Sequence, residues 1–354
     1  MKRQNAVAAL WFLSLMLVQA SPVRARALNV PEQFPSINSA IAAAKNKDEI
    51  IVAPGIYTEN LVLRAGVILR SRGSTEERSN FFSAAQTIIQ AARAENQIVL
   101  GAKGAVLDGF SLKDIAVRED SRKEHYGIFI NGTSMTITNC IIASLSYHGI
   151  GIKGPTPSGA SLLKNNRIYD NRVNGVICDK EAVVQIEACE IYLNGKSGIH
   201  NANQAQVIIK NNIIRENDVD GIMNTDEADA FISNNMIYQN GLNGIGFQQS
   251  SRGKVEQNQI TGNRQAGIGL RMKAKGIILN NTISDNLIGV GLMEIEQVTI
   301  ESNKINNNNM VGIGLVNCKG GKVILRKNDL RGNRIRPISP NLACELIEED
   351  NINW

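Results

Sequence analysis

All three histidines of the 354-residue chain, His125, His148 and His200, lie between positions 125 and 200, and five of its six tyrosines (126, 147, 169, 192 and 238) lie between 126 and 238. Aligning Gly127 with Gly149 sets His125 level with Tyr147 and Tyr126 level with His148, a two-by-two patch of imidazoles and phenols. Such groups pass protons near neutral pH and suit general acid and base roles at a carbon centre. A cation beside them, Arg172 or Lys153, would neutralise a carboxylate next to that carbon and ease removal of its proton. The candidate catalytic residues are therefore His125, Tyr126, Tyr147, His148 and Arg172. The candidate substrate-binding residues are Lys153, Tyr169, Asp179, Tyr192, His200 and Asp226.

Each has a plainer alternative. The rings of the patch can simply border turns and pack on one another, and without a visible cleft or perturbed ionisation packing outweighs catalysis. Tyr169 and Tyr192 recur at equivalent positions, either as a platform for a sugar ring or as an outer aromatic pair. Asp179, Asp226 and Glu227 could form a hydrolytic carboxylate pair, although solvated acids are commoner. Met223 lies near His200, yet no Met/His cluster has metal-ligand spacing. No His-x-x-x-His pair, phosphate loop or Gly-x-Ser-x-Gly elbow occurs, so neither metal nor cofactor is expected.

The positioning elements announce themselves as a repeat. Gly149, Gly175, Gly198, Gly221, Gly244, Gly267, Gly289 and Gly312 are spaced by 26, 23, 23, 23, 23, 22 and 23 residues. One later position reads Asn166, Cys189, Asn212, Asn235, Asn258, Asn281, Asn303 and Asn328. Five residues beyond it every repeat carries Asn, from Asn171, Asn194 and Asn217 through Asn333. Between them runs an aliphatic column, Ile168 through Leu330, and apolar residues otherwise alternate with the strand period. Coils of about 23 residues with three short strands predict an all-β, single-stranded, right-handed parallel β-helix. Asparagine ladders at its bends would satisfy backbone groups that the strands leave free. Ile37, Ala40, Ile41 and Ala44 behind Ser36 predict a short N-terminal capping helix.

The stretch from Ile37 to Ile41 and on through Asp48-Glu49-Ile50-Ile51-Val52-Ala53-Pro54-Gly55-Ile56-Tyr57 resembles the opening of pectin-lyase-like right-handed β-helix proteins. The coils at 127–334 resemble the repeat of the NosD-like and carbohydrate-processing β-helix group. That resemblance implies the fold and leaves the activity open, since the fold hosts lyases, hydrolases, epimerases, adhesins and binding proteins. Asn224-Thr225-Asp226 matches the first polygalacturonase motif, but its downstream partners are missing. The Asp-Pro-His-Asp of alginate epimerases and the calcium-binding nonapeptide are missing as well.

Lys2 and Arg3, an apolar run from Ala6 to Val18, and Ala25-Arg26-Ala27 have the layout of a signal peptide (1–27) cleaved after Ala27, hence a periplasmic or secreted protein. The β-helix would span 28–338, with its cap at 28–48 and regular coils at 127–334, leaving a C-terminal cap or tail at 339–354. The leader holds four of the cations and no acid, so the formal charge of +5 falls to +1 without it. A near-neutral body offers no electrostatic footprint for nucleic acid, and no segment is long enough for a membrane span. Of five cysteines, only Cys318 and Cys344 are worth testing as a pair; Cys140, Cys178 and Cys189 fall at inward positions. The expected partner is a polysaccharide, acidic if the chemistry is that of a lyase or epimerase, held by a monomer. The rivals are a non-enzymatic scaffold and a NosD-like periplasmic accessory protein.

Overall fold

The computed structural model describes residues 25–74, 81–93, 97–114, 124–318, 320–340 and 344–353. The expected leader lies, but for its last three residues, outside them, as do residues 75–80 and 115–123. The chain winds as a parallel β-solenoid of about 13 turns with about 23 residues per coil. Its strands stack into three parallel sheets of 14, 12 and 11 strands, here sheets A, C and B. Each coil passes from C to A to B. In one such coil His148–Lys153 is in C, Ser161–Lys164 in A and Arg167–Tyr169 in B.

Register explains the columns seen in the sequence. Ile168 pairs with Ile191, Ile191 with Ile214, and Ile214 with Ile237. All are fully buried, and each contributes on the order of 2 kcal/mol by leaving water. The recurring glycines have a steric cause. A Cβ on Gly221 would lie 2.7 Å from the Gly244 carbonyl oxygen and 2.8 Å from Asn240 Nδ2. Cβ atoms do not tolerate such contacts, so only glycine lets adjacent coils close at this corner.

The asparagines form two ladders, the first interrupted only at Cys189. Asn235 donates from its backbone N and from Nδ2 to Asn258 Oδ1, at 2.9 Å each. Asn258 Nδ2 in turn reaches the Ile232 carbonyl at 3.0 Å and Asn281 Oδ1 at 3.0 Å. The preceding residue takes a left-handed conformation, as at Asn211 (φ 58°) and Asn234 (φ 56°), where asparagine is among the better tolerated residues. The tight turn from A to B thereby keeps its buried polar groups satisfied.

The helix Ile37–Ala43 closes the N-terminal end, with Ser36 and Ser39 forming a reciprocal capping box. At the other end Glu345–Glu349 adds the last strand of sheet A. A disulfide between Cys318 and Cys344 ties it down. Cys140, Cys178 and Cys189 are buried free thiols, and burial pushes Cys140 up to about 12 and Cys189 up to about 11. Among the described residues no helix is long and apolar enough to cross a membrane.

Candidate functional site

Four of the expected residues come together at the edge of sheet C. Tyr126 pairs in register with His148. Their rings stack with centroids 5.5 Å apart and planes 13° from parallel. Tyr147 meets His148 edge-on at 4.6 Å, and His125 meets Tyr147 edge-on at 6.3 Å. On its other side Tyr126 stacks on Phe129 at 4.7 Å. The cluster is closely packed, enclosing a slot of only about 10 Å³, with His148 and Tyr126 4% and 6% exposed.

A polar relay lies against these rings. The Tyr126 hydroxyl donates to Glu124. Lys153 Nζ is 2.5 Å from the same Glu124 oxygen, 3.4 Å from Asp179 Oδ2 and 5.7 Å from the Tyr126 ring centre. Burial, then the bond to Glu124, raises the Tyr126 phenol well above its ordinary range. Burial alone would lower Lys153, but its bonds to Glu124 and Tyr126 raise it overall. Burial likewise opposes ionisation of Glu124, yet Lys153 and Tyr126 bring it below the usual carboxylate range. Burial pushes His148 down to about 3. The Asn174 backbone N–H donates to His148 Nδ1 at 3.3 Å, so the neutral ring carries its proton on Nε2 and presents a donor. At neutral pH the cluster thus holds a neutral imidazole and a protonated phenol, and the charge of Lys153 is matched by two carboxylates.

The other expected residues are distributed around the coil. Lys153, Asp179 and His200 follow the cluster along the outward face of sheet C. Asp179 accepts from Asn203 Nδ2 at 2.7 Å. His200, lowered by burial, lies 3.3 Å from Thr225 Oγ1. Tyr169 and Tyr192 stack at 4.8 Å with Arg215 over Tyr192, but on sheet B and away from His148. Arg172 stands at the turn from B to C in an adjoining depression lined also by Asp114, Asp170 and Asp218, and Asp114, Leu145 and Ser146 border the ring-cluster slot as well. Asp226 sits at the turn from C to A. Asn224 of the partial polygalacturonase motif points into the coil, fully buried and bonded to Asn201 at 2.8 Å.

Sheet C also carries a feature that the sequence reading passed over. Beyond His200 the outward face sinks into an open groove of about 420 Å³, with Gly246, Gly269, Gly291 and Gly314 along its floor. Asp220 and Met223 stand at the end nearer His200, Arg271 on one side, and Leu242, Leu287 and Ile288 on the other. The signal was present as Gly-Ile-Gly or Gly-Val-Gly in four successive coils.

Family models place residues 98–228 and 201–347 in the family described as right handed beta helix region, and the chain belongs to that family. No curated protein matches it. Among solved structures it resembles the A-module of the Azotobacter vinelandii mannuronan C-5 epimerase AlgE4, with a TM-score of 0.70 and 18% identity over 87% of this chain and 92% of that one. It also resembles the periplasmic alginate epimerase AlgG, with a TM-score of 0.67 and 15% identity over 92% and 83%. A third likeness is the catalytic unit of a GH87 alpha-1,3-glucanase from Streptomyces thermodiastaticus strain HF3-3, with a TM-score of 0.66 and 15% identity over 94% and 70%. At these identities the likeness is one of fold.

Proposed function

We propose that this is an exported β-helix protein that binds a polysaccharide along the coil axis on the outward face of sheet C, and processes it there. The observation that carries this reading is the continuity of that face. The ring cluster, Lys153–Asp179, His200 and the groove lie along one sheet, in register from coil to coil. The epimerases and the glucanase named above support a carbohydrate ligand by analogy of fold. If the chemistry is proton removal beside a carboxylate, the His148 Nε2–H donor would polarise that carboxylate. The protonated Tyr126 would return a proton to the opposite face, and His125 or Tyr147 would take one.

The test is to incubate the mature protein with acidic and neutral polysaccharides, following binding together with the ultraviolet absorbance of unsaturated uronates. New absorbance that His148→Ala removes would establish a lyase. Binding without absorbance, with inverted uronates among the products, would establish an epimerase. No binding across the panel would abandon the saccharide reading in favour of a scaffold, which the tight packing of the cluster would then fit.

A further inference from the structure

Glycine is a poor strand residue, and a glycine inside a strand marks either a backbone constraint or a close approach by something else. Gly246, Gly269, Gly291 and Gly314 occupy one register column on the outward face of sheet C. None has a positive φ. A Cβ on Gly291 would find nothing nearer than Ala266 Cβ at 3.7 Å, and one on Gly314 nothing nearer than Ile288 Cγ2 at 3.4 Å. At Gly246 and Gly269 the nearest atoms, at 3.1 Å, belong to the Met223 and Asn243 side chains rather than to backbone. Coil packing, which demands glycine at Gly221 and its equivalents, demands none of these four. Their shared effect is to keep the floor bare.

A second observation comes from Asp220, which is fully buried at the end of the groove beside His200. Its Oδ1 accepts from the Asn243 backbone N–H at 3.0 Å and from Asn243 Nδ2 at 2.8 Å. Its Oδ2 has no hydrogen-bond partner. A buried carboxyl oxygen left unpaired is costly, and a ligand hydroxyl would supply the missing donor. Burial raises the Asp220 carboxyl above its ordinary range, with the Asn243 bonds and Arg271 opposing. On the rim Arg271 is exposed and makes no ion pair among the described residues, whereas Lys153 at the ring cluster is already matched by two carboxylates.

We infer that the glycine-floored groove is an acidic-sugar subsite, in which a uronate ring lies flat on the Gly246–Gly314 column, its carboxylate on Arg271 and a hydroxyl on Asp220. The inference rests on the polysaccharide reading and adds where the negative charge is recognised, at Arg271, five coils from His148. Coils repeat about every 4.8 Å, so the column offers successive sugar residues the same bare strand backbone. The aliphatic flanks would lie along the ring edges.

Calorimetric titration with uronate oligomers of two to eight residues, and with neutral oligomers of the same lengths, tests it in Gly291→Leu, Arg271→Gln, Asp220→Asn and His148→Ala. Gly291→Leu is expected to keep or raise the melting temperature while weakening the longer uronate oligomers at least tenfold. Arg271→Gln should erase the preference for acidic over neutral oligomers, and Asp220→Asn should weaken both several-fold. Wild-type affinity in both groove variants, Gly291→Leu and Arg271→Gln, with binding still lost in His148→Ala, would overturn the subsite and leave the polysaccharide reading standing. No binding by the wild-type protein would overturn both. Self-association that Gly291→Leu removes would assign the groove to a second copy instead and overturn the subsite.

Discussion

The Tyr126 ring lies parallel to His148 and directly over Gly151, where a Cβ would come within 2.4 Å of the Tyr126 ring carbons. Gly151 therefore sets the height of the phenol and, through it, the bond to Glu124. Gly151→Ala should push the ring off the sheet at a cost of about 1–3 kcal/mol, as other overpacked sites do. Urea unfolding and near-ultraviolet circular dichroism would show the lost stability and the altered tyrosine signal. An unchanged spectrum would mean the ring is not seated there.

His148 makes stability depend on pH. Burial holds it neutral down to about 3, whereas in the unfolded chain it takes a proton near 6.5. Between those values the unfolded state binds more protons. The contribution is therefore complete above about 6.5 and shrinks as pH falls toward 3. We expect the wild-type protein to lose about 3 kcal/mol more than His148→Phe between pH 7 and pH 4, read from urea midpoints. Equal losses would show that the imidazole is solvated.

One rung of the first ladder is defective. Cys189 stands where its neighbours have asparagine; Asn166 reaches its sulfur from the backbone at 3.4 Å and from Nδ2 at 3.8 Å. Cys189→Asn would supply a carbonyl oxygen to Asn166 and a donor to Leu163, and should stabilise the fold by about 1 kcal/mol. The reverse change is the control. Asn258→Ala would strip Asn235 of its acceptor and remove the Nδ2 donor from the Ile232 carbonyl, costing about 2–3 kcal/mol. Thermal unfolding of the two variants should move in opposite directions.

The N-terminal boundary has a structural consequence. Asp48 is 1% exposed and bonds the Arg26 backbone N–H and guanidinium, which hold its carboxyl well below the usual range. Ala27 then begins the first strand, paired with Glu49. A cut after Ala27 would remove both contacts and leave the buried carboxylate with the Lys45 backbone N–H. We expect N-terminal sequencing of the protein recovered from an expressing host to find Arg26 retained, and Arg26→Ala to lower its melting temperature. A mature chain beginning at Leu28 would contradict this.

The fold was legible because a solenoid writes itself into sequence once per coil. Ile168 through Leu330, the corner glycines and both asparagine ladders recur at nearly constant spacing, and each column has one physical cause. The pairing of Tyr126 with His148 followed from the same alignment. Tyr169 and Tyr192 were near in number but lie on sheet B, because a coil turns through three sheets within a few residues. Glu124 carried no pattern at all. Asp220 stands where the preceding coils carry the polar residues Asn174 and Ser197, and its unpaired oxygen is visible only in three dimensions.

Because all three histidines stand on or at the edge of sheet C, histidine side-chain NMR with uronate oligomers tests the central claim most directly. Ligand laid along this face should shift the His148 and His200 resonances saturably, and His148→Ala should abolish the accompanying affinity. Saturable binding that leaves all three histidines unmoved would place the ligand on another face and contradict the account.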